Sequence, residues 1–342
     1  MMTSASAHPQ HFTVQHFTVQ PFTPPFWLAN PHLQTILPKF LVKYQPNYRR
    51  ELIKDSLDES QIAYDFVDAH DEQVAGKYQK PLVILFHGLE GSSNSHYAKS
   101  LAYAVKEQGW HYVVVHFRSC GGIPVAGNVL YNAGDTSELV HALTQLSNRY
   151  QHLYAVGMSL GGNVLAKYMG EYGDKAVCGA AAVVSAPVDL ASSAIAMERL
   201  MGRRIYTPYL LNPLVKKALE NSLSSEEMRA VRTSSRISDF DQIFTAPRHG
   251  YRSVNDYYRH ASSLPYLIDI VKPTIIITAK DDPFLGMTAR QSDVSESVLL
   301  LDTEHGGHMG YLRYLPHHKP RLDVSWLPDT IVEFFNAQMT GR

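Results

Sequence analysis

The sequence is poor in cysteine and in charge. Its 342 residues include only two cysteines, Cys120 and Cys178, which are too few for a disulfide framework. Charged residues make up 18% of the chain, below the roughly 25% of an average soluble domain. The 31 basic and 32 acidic residues nearly cancel, and Lys and Arg do not cluster anywhere. Because a nucleic-acid-binding protein needs a basic surface, we predict no nucleic-acid partner.

Long hydrophobic runs are also missing. None approaches the roughly 18 apolar residues of a membrane-spanning helix. The first basic residue is Lys39, so the N-terminus has neither the basic region of a secretory signal nor the Arg-rich pattern of a transit peptide. We therefore predict a cytoplasmic protein with no transmembrane span. Peripheral contact with a membrane surface stays open, and the oligomeric state is not indicated.

The first 44 residues differ in pattern from the rest. The sequence HFTVQ occurs at 11–15 and again at 16–20, and two copies form a tail and not a repeat architecture. Residues 26–40 are rich in aromatic and aliphatic groups and are expected to dock onto the rest of the protein. We predict an N-terminal tail and docking segment over 1–44 and a single domain over 45–342.

From residue 60 onward, short β-rich runs alternate with amphipathic stretches, which is typical of a sheet built from βα units. The first run, IAYDFVDA, alternates like a half-buried strand, and LVILF at 82–86 is apolar throughout, like a parallel strand covered on both faces. The apolar runs are at 82–86, 111–117, 152–157, 180–186, 274–278 and 297–301, and the helical stretches are at 97–107, 135–146, 160–171 and 329–338. The predicted fold class is α/β, with a mostly parallel sheet and helices on both faces.

One segment interrupts this rhythm. About 75 residues between 188 and 264 have helical periodicity and no strand pattern. An insertion at this point can cover ligand sites at the carboxyl ends of the strands. We predict a helical cap over about 188–264.

The strongest chemical signal is a Gly-x-Ser-x-Gly motif formed by Gly157, Ser159 and Gly161. Between a buried strand and a helix, this motif is typical of a nucleophile elbow, a strained turn that lifts the serine hydroxyl above the sheet. The alternative is a tight turn with an ordinary N-cap serine. We predict that Ser159 is a nucleophile.

A serine nucleophile needs a histidine base and a carboxylate that orients it. Asp281 and Asp282 follow one apolar strand, and His305 and His308 follow the last one, in the order serine, acid, histidine that hydrolases of this type use. Asp282 is favoured over Asp281 because it directly precedes a proline, as in the acid turn of such enzymes. His308 is favoured over His305 because glycines on both sides allow close approach.

Two backbone N–H groups are expected to bind the oxyanion of the reaction. The Leu160 N–H begins the helix after the serine, where the helix dipole favours negative charge. His87 and Gly88 follow the strand at 82–86, and the glycine lets the chain turn so that the Leu89 N–H faces the serine. The alternative for His87-Gly88 is a turn that merely starts a helix.

Several segments together resemble one branch of the α/β-hydrolase family, which includes bacterial YheT-type hydrolases and eukaryotic ABHD-type lipases and medium-chain acyltransferases. The segments that carry the resemblance are PHLQTILP, HGLEGSSNSHY, HFRSCGG with YNAGDTSEL, GMSLGGNVLAKYMGE, AKDDPF and EHGGHMGY. The resemblance implies an α/β-hydrolase fold, a triad of Ser159, Asp282 and His308, esterase activity and no cofactor. Two departures are Ser119, where many relatives carry glycine, and region 48–70, which lacks an Asp-Gly turn.

We therefore predict a serine esterase that cleaves a small-molecule or lipid-like carboxylic ester through an acyl-enzyme. The alternatives are acyl transfer to an alcohol or thiol and a ligand-binding module without catalysis. A metal site built from the two aspartates and two histidines would leave the elbow unexplained, so we predict no metal. Cys120 has no base near it in sequence and is expected to be an ordinary loop cysteine.

Overall fold

A computed structural model describes residue 17, residues 19–315 and residues 321–340. The first HFTVQ copy and part of the second lie outside the described residues, as does the start of the predicted tail. The strands, in chain order, are β1 (Arg49–Lys54), β2 (Gln61–Val67), β3 (Gln73–Val74), β4 (Lys77–Tyr78), β5 (Leu82–Phe86), β6 (His111–Val115), β7 (Leu153–Met158), β8 (Ala180–Val184), β9 (Thr274–Ala279), β10 (Val298–Thr303), β11 (Arg313–Leu315) and β12 (Arg321–Asp323).

The α-helices lie between these strands and at both ends of the described chain. They are α1 (Pro31–Ile36), α2 (Pro38–Leu41), α3 (His96–Glu107), α4 (Thr136–Ser147), α5 (Leu160–Tyr172), α6 (Leu190–Ala196), α7 (Thr207–Ala218), α8 (Ser225–Thr233), α9 (Ile237–Phe240), α10 (Ala246–Arg248), α11 (Val254–Ala261) and α12 (Trp326–Thr340). In the part of the chain that the structure describes, no helix is long and apolar enough to cross a membrane.

Eight strands form the main sheet in the order β1-β2-β6-β5-β7-β8-β9-β10. The six strands from β6 to β10 in this order are parallel, whereas β2 runs antiparallel to both of its neighbours. Helices α3 and α12 cover one face, and helices α4 and α5 cover the other. The predicted α/β fold class is confirmed.

The central strands are apolar because both of their faces are buried. In β5, Leu82, Ile84 and Phe86 pack on the α4/α5 side, and Val83 and Leu85 pack on the α3/α12 side. Burying one such side chain contributes about 1.5–3 kcal/mol to folding. The central sheet therefore provides a rigid platform for the loops at its carboxyl edge.

Two features at the β1 edge differ from the sequence prediction. Strand β2 is buried on both faces and not half-buried. The buried carboxylate of Asp65 forms an ion pair with Arg50 Nε at 2.6 Å and accepts a hydrogen bond from the Ser93 hydroxyl at 2.5 Å, so this strand can be covered on both faces. Strand β1 was not predicted, since its sequence RRELIK is charged and its side chains are largely exposed. Pairing with β2, and not hydrophobic patterning, makes this segment a strand.

Helices α6 to α11 lie between β8 and β9, where the sequence predicts the cap. Two π-helical turns, Gly202–Tyr206 and Asp241–Thr245, interrupt this region. Such turns are frequent at functional sites because they redirect the side chains of a helix. The predicted boundaries of the domain and of the cap stay predictions.

The loop after β6 contains a strained serine. Ser119 has a φ of 61°, in the left-handed region that favours glycine. Its hydroxyl is buried and has no hydrogen-bond partner among the described residues. The side chain thus adds backbone strain and an unsatisfied polar group, which agrees with the glycine that many relatives carry at this position.

We predict that Ser119→Gly raises the free energy of unfolding by about 1 kcal/mol, because it removes both costs. Urea denaturation measures the change. The control is Ser234→Gly, where φ is −58° and the hydroxyl donates to the Ala230 carbonyl at 3.2 Å. Glycine there loosens the unfolded chain and removes this bond, so this variant should be destabilised. A lower urea midpoint for Ser119→Gly would contradict the strain argument.

Candidate active site

Ser159 lies in a sharp turn between β7 and α5, with φ of 51° and ψ of −119°. Such a backbone conformation costs about 1–3 kcal/mol for a residue with a side chain. The neighbouring glycines are required by close packing: a Cβ atom at Gly157 would lie 2.5 Å from the Gly161 carbonyl oxygen, and one at Gly161 would collide with the carbonyls of Phe86 and His87. The turn holds the Ser159 hydroxyl at the carboxyl edge of the sheet.

The side chains of Ser159, His308 and Asp282 form one hydrogen-bonded chain. His308 Nε2 lies 3.0 Å from Ser159 Oγ, and His308 Nδ1 lies 2.9 Å from Asp282 Oδ2. Since the carboxylate only accepts, Nδ1–H donates to Asp282, and Nε2 is left to accept the serine proton. His308 and Asp282 are both buried, which protects the chain of bonds from water.

The two residues that the sequence analysis did not favour form a separate pair beside this chain. Asp281 Oδ1 accepts a hydrogen bond of 2.9 Å from the Gly307 N–H, and Asp281 Oδ2 lies 3.2 Å from His305 Nδ1. The His305 side chain is 42% exposed. Asp281 therefore ties down the loop that carries His308 and does not contact its ring in the described structure.

The predicted oxyanion donors line the same cavity as Ser159. Within the described residues, neither the Leu89 N–H nor the Leu160 N–H has an acceptor. Gly88 packs so closely on the elbow that a Cβ atom there would lie 3.1 Å from Ser159 Cβ. A free pair of donors next to the serine is the arrangement that binds a developing oxyanion.

His87 anchors the loop that carries Leu89. Its Nδ1–H donates to the Gly88 carbonyl at 2.7 Å, and its Nε2 accepts from the Phe117 N–H at 3.1 Å. Burial, together with the neighbouring His116, lowers the pKa of His87 to about 3, so the ring stays neutral and keeps these two roles. The His-Gly pair thus has a structural function beyond starting a turn.

The residue after Leu89 is fastened to the cap. Glu90, whose φ is 54°, accepts hydrogen bonds from Lys217 Nζ of α7 at 2.8 Å and from the Tyr131 hydroxyl at 2.9 Å. Lys217 also lies 3.3 Å from Cys120 Sγ. Burial raises the pKa of the Cys120 thiol to about 12, so this cysteine is not a nucleophile at neutral pH.

Helix α1 supports the loop of His308 from the other side. The Thr35 hydroxyl accepts from the His308 N–H at 3.0 Å. The buried Gln34 amide donates to the carbonyls of Leu28 and Leu312 and accepts from the Leu312 N–H at 2.6 Å. The hydrophobic pattern does not indicate these polar contacts. The feature of the sequence that pointed to this segment is the motif PHLQTILP, which contains Gln34 and Thr35.

An aromatic contact completes the surroundings of the histidine. The rings of Phe284 and His308 stack with centroids 4.0 Å apart, and Tyr206 packs on Phe284 at 4.6 Å. The Tyr206 hydroxyl lies 2.9 Å from His32 Nδ1 of α1. The loop that carries Asp282, the cap and the N-terminal segment therefore meet at His308. Neither Phe284 nor Tyr206 was predicted as a site residue.

Ser159 opens into a cavity of about 420 Å³. Most of its lining is apolar. The cap is the largest single contributor, and the other residues come from α1, α2, α3 and the loops at the carboxyl edge of the sheet. Its cap residues include Leu190, Ala194, Met197, Tyr206, Leu210, Leu214, Ile237 and Phe240. Among the residues that the structure describes, no cluster of three or more His, Cys, Asp and Glu is arranged to hold a metal ion.

Comparison with known proteins agrees with this architecture. The family model for the alpha/beta hydrolase fold matches residues 81–313, which is more than half of the chain. The chain belongs to the α/β-hydrolase family. The resemblance seen in the sequence is thereby confirmed.

Two relatives and one solved structure indicate how far the similarity of this α/β hydrolase extends. It is 37% identical to YheT of Escherichia coli, over 91% of this chain and 92% of that protein. It is 28% identical to the monoacylglycerol lipase of Saccharomyces cerevisiae, over 89% of this chain and 72% of that protein. The structure of Est1E from Butyrivibrio proteoclasticus with ferulic acid superposes with a TM-score of 0.54, over 85% of this chain and 99% of that one. Its sequence identity is 15%, so this likeness shows a shared fold.

We predict that Gln34→Ala lowers the free energy of unfolding of this α/β hydrolase by about 2–4 kcal/mol, because it leaves buried backbone groups of Leu28 and Leu312 without partners. Urea denaturation measures the loss. Leu33→Ala is the matched control on the same helix: its side chain is 41% exposed, and it should cost less than about 1 kcal/mol. Equal losses for the two variants would contradict a special role of the buried amide.

Proposed function

We propose that this α/β hydrolase is a serine esterase that cleaves carboxylic esters through an acyl-enzyme intermediate. The observation that carries the proposal is the bonded chain from Ser159 Oγ through His308 to Asp282, at 3.0 and 2.9 Å, at the wall of a largely apolar cavity. A hydroxyl held by a neutral imidazole that a buried carboxylate orients is an activated nucleophile.

The proposed cycle begins when His308 Nε2 takes the Ser159 proton as Oγ attacks the ester carbonyl. The N–H groups of Leu89 and Leu160 bind the oxyanion of the tetrahedral intermediate, and one such donor is worth about 3 kcal/mol of transition-state stabilisation. His308 then gives its proton to the leaving alcohol. Water, activated by the same ring, attacks the acyl-enzyme and releases the acid. Asp282 accepts the hydrogen bond from Nδ1–H and holds the ring in place.

The substrate class follows from the cavity. An apolar cavity of about 420 Å³ next to the nucleophile suits the hydrocarbon part of an ester. The yeast relative is named for hydrolysis of a monoacylglycerol, which supports a lipid-like acyl ester for this chain as well. Acyl transfer to an alcohol or thiol would use the same acyl-enzyme; measuring ester products with and without added alcohol separates transfer from hydrolysis.

We propose a cytoplasmic location for the enzyme. Cys120 and Cys178 are both unpaired thiols, which is typical of proteins from a reducing compartment. The proposed reaction needs only side chains, backbone N–H groups and water, and it includes no cofactor and no metal.

Hydrolysis of p-nitrophenyl esters of graded acyl length tests the proposed carboxylate. Asp282→Asn should lower kcat by about 10⁴-fold, because the amide favours the wrong tautomer of His308. Asp281→Asn is the matched control and should lose less than about tenfold, since Asp281 only anchors the loop. The opposite ranking would assign the acid role to Asp281.

Labelling with a fluorophosphonate tests the nucleophile. The natural chain should be labelled and Ser159→Ala should not, because the probe forms a bond with an activated serine hydroxyl. If the natural chain is neither labelled nor able to turn over any activated ester, the protein is a ligand-binding module and the proposal fails.

The bond between the cap and the loop of Leu89 is also testable. Lys217→Met leaves the carboxylate of Glu90 without its cation and loosens the loop that carries the Leu89 N–H. We therefore expect kcat to fall about tenfold or more while KM changes little. Lys216→Met, at an exposed position next to it on α7, is the control and should leave both constants unchanged. A fall in kcat that is equal for the two variants would contradict the role given to Lys217.

A further inference from the structure

An acidic residue lines the largely apolar cavity on the cap side. Asp241 begins the π-helical turn Asp241–Thr245 and lines the cavity together with Ile237 and Phe240. It is only 9% exposed, and this burial raises its pKa to about 6. Burial thus disfavours the charged form of this carboxyl, and the hydrogen bonds of the Thr245 and Tyr258 hydroxyls favour it.

The contacts of Asp241 leave part of its bonding capacity unused. The Thr245 hydroxyl donates to Oδ1 at 2.7 Å, and the Tyr258 hydroxyl donates to Oδ2 at 2.9 Å. A carboxylate has about four acceptor positions, and only two are filled by the described residues. Both partners are neutral, and no described Lys, Arg or His forms an ion pair with the group.

A purely structural role does not account for this arrangement. A buried charge without a cation is costly, and a link between two cap helices could be made by a neutral pair of side chains at lower cost. Asp241 instead lines a cavity that a ligand can enter. A ligand that donates a hydrogen bond would offset the cost of burial.

The position of Asp241 indicates which part of a substrate it would meet. Its partner Tyr258 is adjacent to Tyr257, whose hydroxyl accepts from the Ala133 N–H at 2.8 Å. The Ala133 carbonyl in turn accepts from Asn163 of α5, the helix that begins at the elbow. Helix α11 thus bonds to Asp241 through Tyr258 and to the α5 side of the cavity through Tyr257. His308, which gives its proton to the leaving alcohol in the proposed cycle, packs instead against Phe284 and bonds to Thr35 of α1.

We infer that Asp241 forms a polar subsite that binds a hydrogen-bond donor, a hydroxyl or an ammonium group, carried by the acyl part of the substrate. This inference rests on the proposed esterase function and narrows its substrate class. Acyl chains with such a group at the right distance from the ester are preferred over plain chains. The apolar residues around the subsite bind the carbon chain between the two polar ends.

The test compares p-nitrophenyl esters of graded chain length whose acyl chains end in a hydroxyl, a methoxy or an ammonium group. The methoxy ester is the matched probe, because it resembles the hydroxyl ester but cannot donate. At one chain length the natural protein should favour the hydroxyl ester over the methoxy ester by about tenfold or more in kcat/KM. The ammonium ester shows whether charge adds to this preference.

Two substitutions identify the source of the preference. Asp241→Leu should abolish the hydroxyl-to-methoxy ratio, and Asp241→Asn should lower it and remove any preference for ammonium. Asp239→Asn is the control, because this nearby carboxylate bonds to Ser235 and Arg236 and does not line the cavity. Equal ratios in the natural protein and in Asp241→Leu at every chain length would overturn the subsite.

A binding measurement keeps this result separate from the esterase proposal. Calorimetry on Ser159→Ala compares the free ω-hydroxy acids with their ω-methoxy counterparts and needs no turnover. Tighter binding of the hydroxy acid, lost when Asp241→Leu is added, supports the subsite even if no ester is hydrolysed. Equal binding of both acids overturns the subsite even if the natural protein is an active esterase.

Discussion

The close approach of α5 to the carboxyl ends of β7 and β5 is the constraint on which the site depends. Because neither Gly157 nor Gly161 has a side chain, the helix begins directly against the end of β5, and the turn between them is forced into a strained conformation. The packing around Ser159 holds its backbone in this strained conformation. Every other part of the site is arranged around the hydroxyl that this turn holds in position.

The remaining parts reach the serine from distant regions of the chain. His308 and Asp282 follow two parallel strands and therefore meet at the same sheet edge. Thr35 of α1 fixes the backbone of His308 from one side, and Lys217 of the cap fastens the residue after Leu89 from another. The catalytic geometry that we propose is thus held by the N-terminal segment and the cap as well as by the sheet.

Much of the fold could be predicted from residue patterns. The central strands are apolar along their whole length, and the helices between them are amphipathic, so their type and order were evident. Strand β1 was missed for a physical reason: it is charged and largely exposed, and only its pairing with β2 makes it a strand. The burial of Asp65 was missed for a similar reason, since Arg50 and Ser93 lie far from it in sequence.

The sequence alone determined which residue types the site contains. It shows a glycine-flanked serine after a buried strand, and a carboxylate and an imidazole after later strands. Three-dimensional packing decided which of two aspartates faces which of two histidines, with Asp282 on His308 and Asp281 on His305. It also decided that Phe284 stacks on His308 and that Gln34 bonds to Leu312 in the loop after it. These contacts join residues separated by long stretches of chain, and their partners depend on how the elements pack, which no local pattern encodes.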